Sequence, residues 1–183
     1  HAAHQVALQG QVGGVLGVGP VAAEARENPV ARDVHDLHVQ AVPFQQGRHV
    51  LVANEEDLQS CLGLPVRDTN VSSGRLDPRA YRETAVRVTR DFGVPIVAIT
   101  LRESLSASRN GWSAVLWDAE AASFHESPRY DVTLVDRIGG GDSFAAGLVF
   151  GLVTGRAPAE ALRFAVAASA LKQSIPGDFN RVT

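Results

Sequence analysis

Asp136-Arg137-Ile138-Gly139-Gly140-Gly141-Asp142-Ser143-Phe144 is the stretch that decides how this chain folds. It joins Tyr130 to Val135, which reads as a strand, to Ser143 to Gly155, which reads as a buried helix. Three consecutive glycines are costly in chain entropy, so a local demand keeps them there. Close approach of an anion fits that demand. Glycines let backbone N–H groups point into one concavity, and a helix opening near Asp142 adds the positive end of its dipole. A carboxylate at that place repels a phosphate, which leaves two readings of Asp142. It is either an ordinary helix cap after a flexible turn, or a general base that takes the proton from a hydroxyl attacking a terminal phosphate. No Gly-Lys-Ser/Thr follows, so the turn is not a Walker A loop, and its spacing is not that of a GxGxxG dinucleotide turn.

Outward from the turn, strand and helix signals alternate. Val94 to Thr100 is a nearly continuous apolar run, the pattern of a strand buried on both faces. Ahead of it, Asp77-Pro78 opens a helix with Asp as N-cap, Tyr81, Ala85, Val88 and Phe92 on one face, and Gly93 at its end. Val50 to Ala53 reads as a short strand. The helix after it runs to about Leu62, and Asn54 and Asp57 have the spacing of a capping box. Trp112 to Trp117 is a further strand, joined to Tyr130–Val135 by a polar connection around Glu120 to Pro128. A last helix starts at Ala157-Pro158 with a narrow face of Ala161, Ala165, Ala168 and Leu171. The expectation is an α/β fold around a mainly parallel sheet.

Composition bounds the function. The 183 residues carry a net charge of −3 and are 45% hydrophobic, enough to bury a core. No basic stripe is present to hold nucleic acid or a membrane surface. Ser143 to Gly155 is too short for a ~30 Å hydrocarbon layer, and no basic n-region precedes an apolar segment at the start of the chain. Cys61 is the single cysteine and reads as a buried thiol, so a reducing cytoplasm is the expected compartment. The sequence has no methionine and opens at His1, which predicts a fragment or a processed chain.

The first fifty residues differ from the rest. They hold five of the six histidines and no Ser, Thr, Tyr, Ile, Lys or Trp. Residues 1–49 are therefore read as an atypical leader, either poorly ordered or translated in a wrong frame, and residues 50–183 as the structured part. Asp33, His35, Asp36 and His38 lie close together, but without a second, distant ligand pair they read as solvated polar residues and not as a metal site.

The segment from Asp136 to Gly147 resembles the C-terminal motif of the ribokinase-like, phosphofructokinase-B-type carbohydrate kinases. Arg137 and Gly140, with Thr100-Leu101-Arg102-Glu103-Ser104 and Ile175-Pro176-Gly177-Asp178-Phe179-Asn180, are most similar to the bacterial 2-keto-3-deoxygluconate kinase subgroup. The resemblance covers about Val50 to Thr183. It implies a three-layer α/β/α sandwich of which this chain supplies the C-terminal, nucleotide-binding half, with the N-terminal half and lid missing. It also implies ATP and Mg²⁺ as cofactors and phosphoryl transfer to the terminal hydroxyl of a sugar acid.

Residue by residue, the resemblance makes Asp142 the catalytic base and Gly139, Gly140 and Gly141 the anion hole. Asn54 and Asp57 fall on the family's Asn-x-x-Glu, near magnesium and phosphates, with Glu56 as a second candidate acid; the capping-box reading of the pair stands beside this one. Thr100 starts the loop along the nucleotide, and Arg102 stands where many members have Gly. Val166 stands where relatives carry an Asn near the adenine. Asp136 and the Ile138 carbonyl match a monovalent cation site, K⁺ in some members, although Asp136 equally suits a turn that accepts backbone N–H bonds. A ribokinase or fructokinase with another acceptor is the neighbouring alternative. A non-catalytic nucleotide-binding fragment is the alternative of a different class. Oligomeric state is left open, a homo-oligomer of the intact protein included.

Overall fold

The computed structural model describes residues 42–44, 48–64 and 78–181. Strand β1 (Val42–Phe44) pairs antiparallel with β2 (Arg48–Asn54), and β2 runs parallel to β3 (Ile96–Ser106). Strand β4 (Arg109–Asp118) returns antiparallel to β3, then pairs antiparallel with both β5 (Ser123–Glu126) and β6 (Tyr130–Thr133). The expected mainly parallel sheet is not found among the described strands, where β2–β3 is the parallel pair. Hairpin connections, such as the short turn from β3 to β4, force antiparallel neighbours. The boundary drawn at Val50 falls inside β2, with β1 ahead of it. The Asp33–His38 cluster and Asp77 lie outside the described residues.

Helices cover both faces of the sheet. Alternation along the strands aims Val50, Ile96, Ala98, Ala114 and Leu116 at one face, and Leu51, Val97, Ile99, Val115 and Trp117 at the other. The second face takes α1 (Glu55–Leu62) through Leu58, and α2 (Pro78–Phe92) through Tyr81, Ala85 and Val88. The first face takes α3 (Gly140–Val153) and α4 (Pro158–Gln173). This is the three-layer sandwich that the sequence predicts.

Helix α1 closes its amino end with the expected capping box: the Asp57 N–H donates to Asn54 Oδ1 at 2.8 Å, and the Asn54 N–H donates to Asp57 Oδ2 at 3.0 Å. Helices α3 and α4 approach closely because α3 offers glycine at the seam. A Cβ on Gly147 would stand 3.0 Å from Ala165 Cα, and one on Gly151 would stand 2.8 Å from Ala161 Cα. Among the described residues no helix is long and apolar enough to cross a membrane.

Several boundaries differ from expectation. Strand β3 continues past Thr100 to Ser106, because the polar residues there still pair with β4 as a hairpin arm. The polar connection contains β5, which the register with β4 stabilises. Phe92 and Leu171 are exposed and not buried; Val166, Ser169 and Ala170 turn inward on α4 where Leu171 was expected.

Candidate active site

The parallel register sets Asn54 beside Thr100, so the carboxyl ends of β2 and β3 finish together. Ligands in open α/β sheets collect beyond such ends. A cleft of 530 Å³ opens there. One wall is the start of α1, with Asn54, Glu55 and Glu56. The other is the hairpin arm, with Thr100, Arg102, Glu103, Asn110 and Trp112. Gly140 and Gly141 of the glycine turn line it with Arg137 and Gln173. Six sequence-predicted residues therefore meet around one space: Asn54, Glu56, Thr100, Arg102, Gly140 and Gly141. Asp57, Asp136, Ile138, Gly139 and Asp142 lie outside this lining. Val166 is fully buried in the core on α4 and does not line this cleft.

The turn is held from behind. Gly139 has φ +75°, and a Cβ there would run into the Asp178 carbonyl oxygen. The Ile138 and Gly177 N–H groups donate to the two carboxylate oxygens of Asp136, each at 3.0 Å. These bonds hold the Asp136 carboxyl below the ordinary carboxylate range, with the nearby Lys172 charge adding to the effect. The Val135 and Asp136 N–H groups donate to the Gln173 carbonyl at 2.9 and 3.3 Å, and Arg137 reaches across to the Ala107 carbonyl at 3.2 Å. Asp142 follows as an exposed acid in the first turn of α3.

Charge in the cleft is mixed. Glu55, half-buried, has its carboxyl pushed up by burial and drawn partly back by the Arg102 guanidinium. Its Oε1 is buried without a hydrogen-bond partner. Glu56 is exposed at the same wall. Hard carboxylate oxygens of this kind suit Mg²⁺, which takes one or two protein carboxylates and completes its shell with water and phosphate oxygens. Asp57 is committed to the helix cap, which leaves Glu55 and Glu56 as the acids of that wall; Glu103 on the opposite wall is paired with Arg129.

The sequence reading missed Glu55, Asn110, Trp112 and Lys172. Asn110 is fully buried, and neither its amide nitrogen nor its oxygen has a partner; the Trp112 indole N–H is likewise unpaired. Ser104 pairs with Asn110 and Arg102 with Trp112 across the hairpin, a register that linear sequence did not disclose. For Glu55 a signal existed, since it stands next to Asn54 in an acidic first turn.

Fold and cleft together define a three-layer α/β protein with a glycine turn lining a cleft at the carboxyl ends of β2 and β3. Residues 102–179 match the model of the pfkB family carbohydrate kinases, and this part of the chain is a domain of that family. The crystal structure of a 2-dehydro-3-deoxygluconokinase from Thermotoga maritima is 42% identical, aligns over 73% of this chain and 38% of its own, and superposes with a TM-score of 0.66. A pfkB family carbohydrate kinase from Listeria grayi is 27% identical over 73% of this chain and 38% of its own, with a TM-score of 0.57. A 2-dehydro-3-deoxygalactonokinase from Haloferax volcanii is 28% identical over 134 residues, 73% of this chain and 35% of that protein. The chain thus spans little more than a third of the length of these relatives.

Proposed function

We propose that this chain provides the nucleotide-binding part of a kinase that transfers the γ-phosphoryl group of ATP to the terminal hydroxyl of 2-keto-3-deoxygluconate. The observation that carries the reading is the meeting of Gly140 and Gly141 with Asn54, Glu56, Thr100 and Arg102 around one cleft. The backbone N–H groups of the turn and the start of α3 receive phosphate oxygens and stabilise charge on the group in flight. Asn54, Glu55 and Glu56 hold a Mg²⁺–nucleotide, the ion neutralising phosphate charge when bound. Arg102 and Thr100 lie along the nucleotide, and Trp112 and Asn110 offer neutral polar contacts at the wall. Asp142 accepts the proton of the attacking hydroxyl, and catalysis comes mostly from positioning. Asp136 and the Ile138 carbonyl lie behind the turn, where the family resemblance puts a monovalent cation. The lone cysteine, Cys61, is a free thiol and suits a cytoplasmic enzyme.

The names of two relatives, a 2-dehydro-3-deoxygluconokinase and a 2-dehydro-3-deoxygalactonokinase, support a 2-keto-3-deoxy sugar acid as the substrate class and differ in whether the acid is gluconate- or galactonate-derived. Titration of the chain with Mg·ATP tests the cleft, with Trp112 fluorescence as the signal. A saturable change that excess EDTA weakens is expected, and absence of any nucleotide binding would overturn the reading. A full-length kinase carrying this sequence is then offered 2-keto-3-deoxygluconate, its galactonate-derived epimer, ribose and fructose. Preference for either neutral sugar would replace the substrate assignment.

A further inference from the structure

Lys172 is the single lysine of the chain, and it is fully buried near the carboxyl end of α4. Its Nζ has no hydrogen-bond partner among the described residues. An ammonium group taken out of water is costly unless an opposite charge answers it. Two features show where that side chain acts. The field of Lys172 reaches the Asp136 carboxylate. Its Cε also lies 3.2 Å from the point that a Cβ on Gly139 would occupy, so the side chain runs against the back of the glycine turn. The front of that turn faces the cleft.

The family resemblance puts a monovalent cation at Asp136 and the Ile138 carbonyl. The residues present do not fit that ion. Each Asp136 oxygen already spends one of its two acceptor sites on a backbone N–H, from Ile138 or Gly177, and is held in the turn by it. A fixed positive charge already acts on the same carboxylate, and a second cation there meets like-charge repulsion.

We infer that the Lys172 ammonium is the built-in counter-charge of the glycine turn and takes the place of a potassium ion. Phosphate binding at the turn then depends on Lys172 and not on monovalent salt. This rests on the reading of the turn as a phosphate cradle. Lys172 touches no substrate, and it is a positioning residue that acts through Gly139 and Asp136.

The test is calorimetric binding of Mg·ADP to the 183-residue chain in KCl and in choline chloride at equal ionic strength. Tl⁺, a potassium surrogate, is titrated against the same chain by thallium NMR. The expected result is equal nucleotide affinity in the two salts, within about twofold, and no saturable Tl⁺ site. In choline chloride, Lys172→Met should weaken Mg·ADP roughly tenfold, the scale of one charge acting across several ångströms of protein, with KCl restoring part of the loss. Lys172→Arg should keep the wild-type affinity and salt indifference. A wild-type affinity that rises more than about fivefold with KCl overturns the inference, as does saturable Tl⁺ binding that K⁺ displaces. A Lys172→Met chain that binds as wild type does in choline chloride overturns it too. If that variant does not fold, the wild-type measurements decide alone. Loss of Mg·ADP binding in both salts refutes the cradle reading instead, and the Tl⁺ titration then judges Lys172 by itself.

Discussion

The Ser169 hydroxyl donates a buried 2.7 Å hydrogen bond to the carbonyl oxygen of Gly140. The bond ties the middle of α4 to the first residue of α3, so the last helix braces the glycine turn against the sheet. Ser169→Ala removes the tie without opening a large cavity. Urea denaturation should show a loss of about 1 kcal/mol, the usual net worth of one neutral hydrogen bond. A loss within error of zero would show that the brace is dispensable.

Gly139 and Gly141 separate strain from function. Gly139→Ala puts a side chain at φ +75° and against the Asp178 carbonyl, so it should lower the melting temperature and displace the segment after α4. A Cβ on Gly141 meets nothing within 4 Å. Gly141→Ala should therefore melt close to wild type yet bind Mg·ATP more weakly, because in the proposed function its methyl group stands where the phosphate approaches. Equal nucleotide affinity in Gly141→Ala would place the anion elsewhere.

Glu55 trades stability for function. Burial raises its carboxyl above the ordinary value of 4.5. The folded chain thus holds that proton more tightly than the unfolded chain does. Stability from this group is present below the ordinary value and is lost as pH rises through the folded one. Glu55→Gln should accordingly raise the melting temperature near neutral pH, with the gain closing as pH falls below 4.5. The same variant should bind Mg·ATP less tightly. A chain destabilised at neutral pH by this change would contradict the burial account.

Asp136 has the opposite sign. Its carboxyl is held below the ordinary value of 3.8 by backbone N–H bonds from Ile138 and Gly177. The stability it supplies is present above that value and disappears as pH falls through the lower folded value. Asp136→Asn should melt earlier than wild type at neutral pH, and the two should converge in acid. Thermal melts across the acid range read both arms.

Asp142 is exposed at the start of α3, where its structural worth is no more than the ~0.3–1 kcal/mol of a first-turn acid. In a full-length kinase carrying this sequence, Asp142→Asn should leave nucleotide affinity intact and cut turnover by about 100- to 10,000-fold, the range of a lost general base. A variant that keeps most of its kcat removes Asp142 from that role.

Much of this was legible in the sequence because the signals were local. The Asn54–Asp57 box, Pro78 opening α2, the apolar run from Ile96 to Thr100 and the triple glycine each fix a conformation within a few residues. Strand direction was not legible. The antiparallel return of β4 and the lodging of β5 and β6 on its far edge depend on pairings between distant segments. Asn110 and Trp112 became visible as cleft residues for the same reason, through their register with Ser104 and Arg102. Leu171 and Lys172 show a further limit. Helical spacing put Leu171 inside, whereas Leu171 is exposed and its neighbour Lys172 is the buried residue, which no local pattern announced.

That burial also makes the native chain nearly silent toward amine chemistry. Acylating dyes and lysine cross-linkers find no lysine side chain on the folded surface. Lys172 reacts when α4 lifts away from the sheet, so its acylation rate under native conditions times the opening of that layer. One mass shift on one residue then counts the molecules whose last helix has come loose.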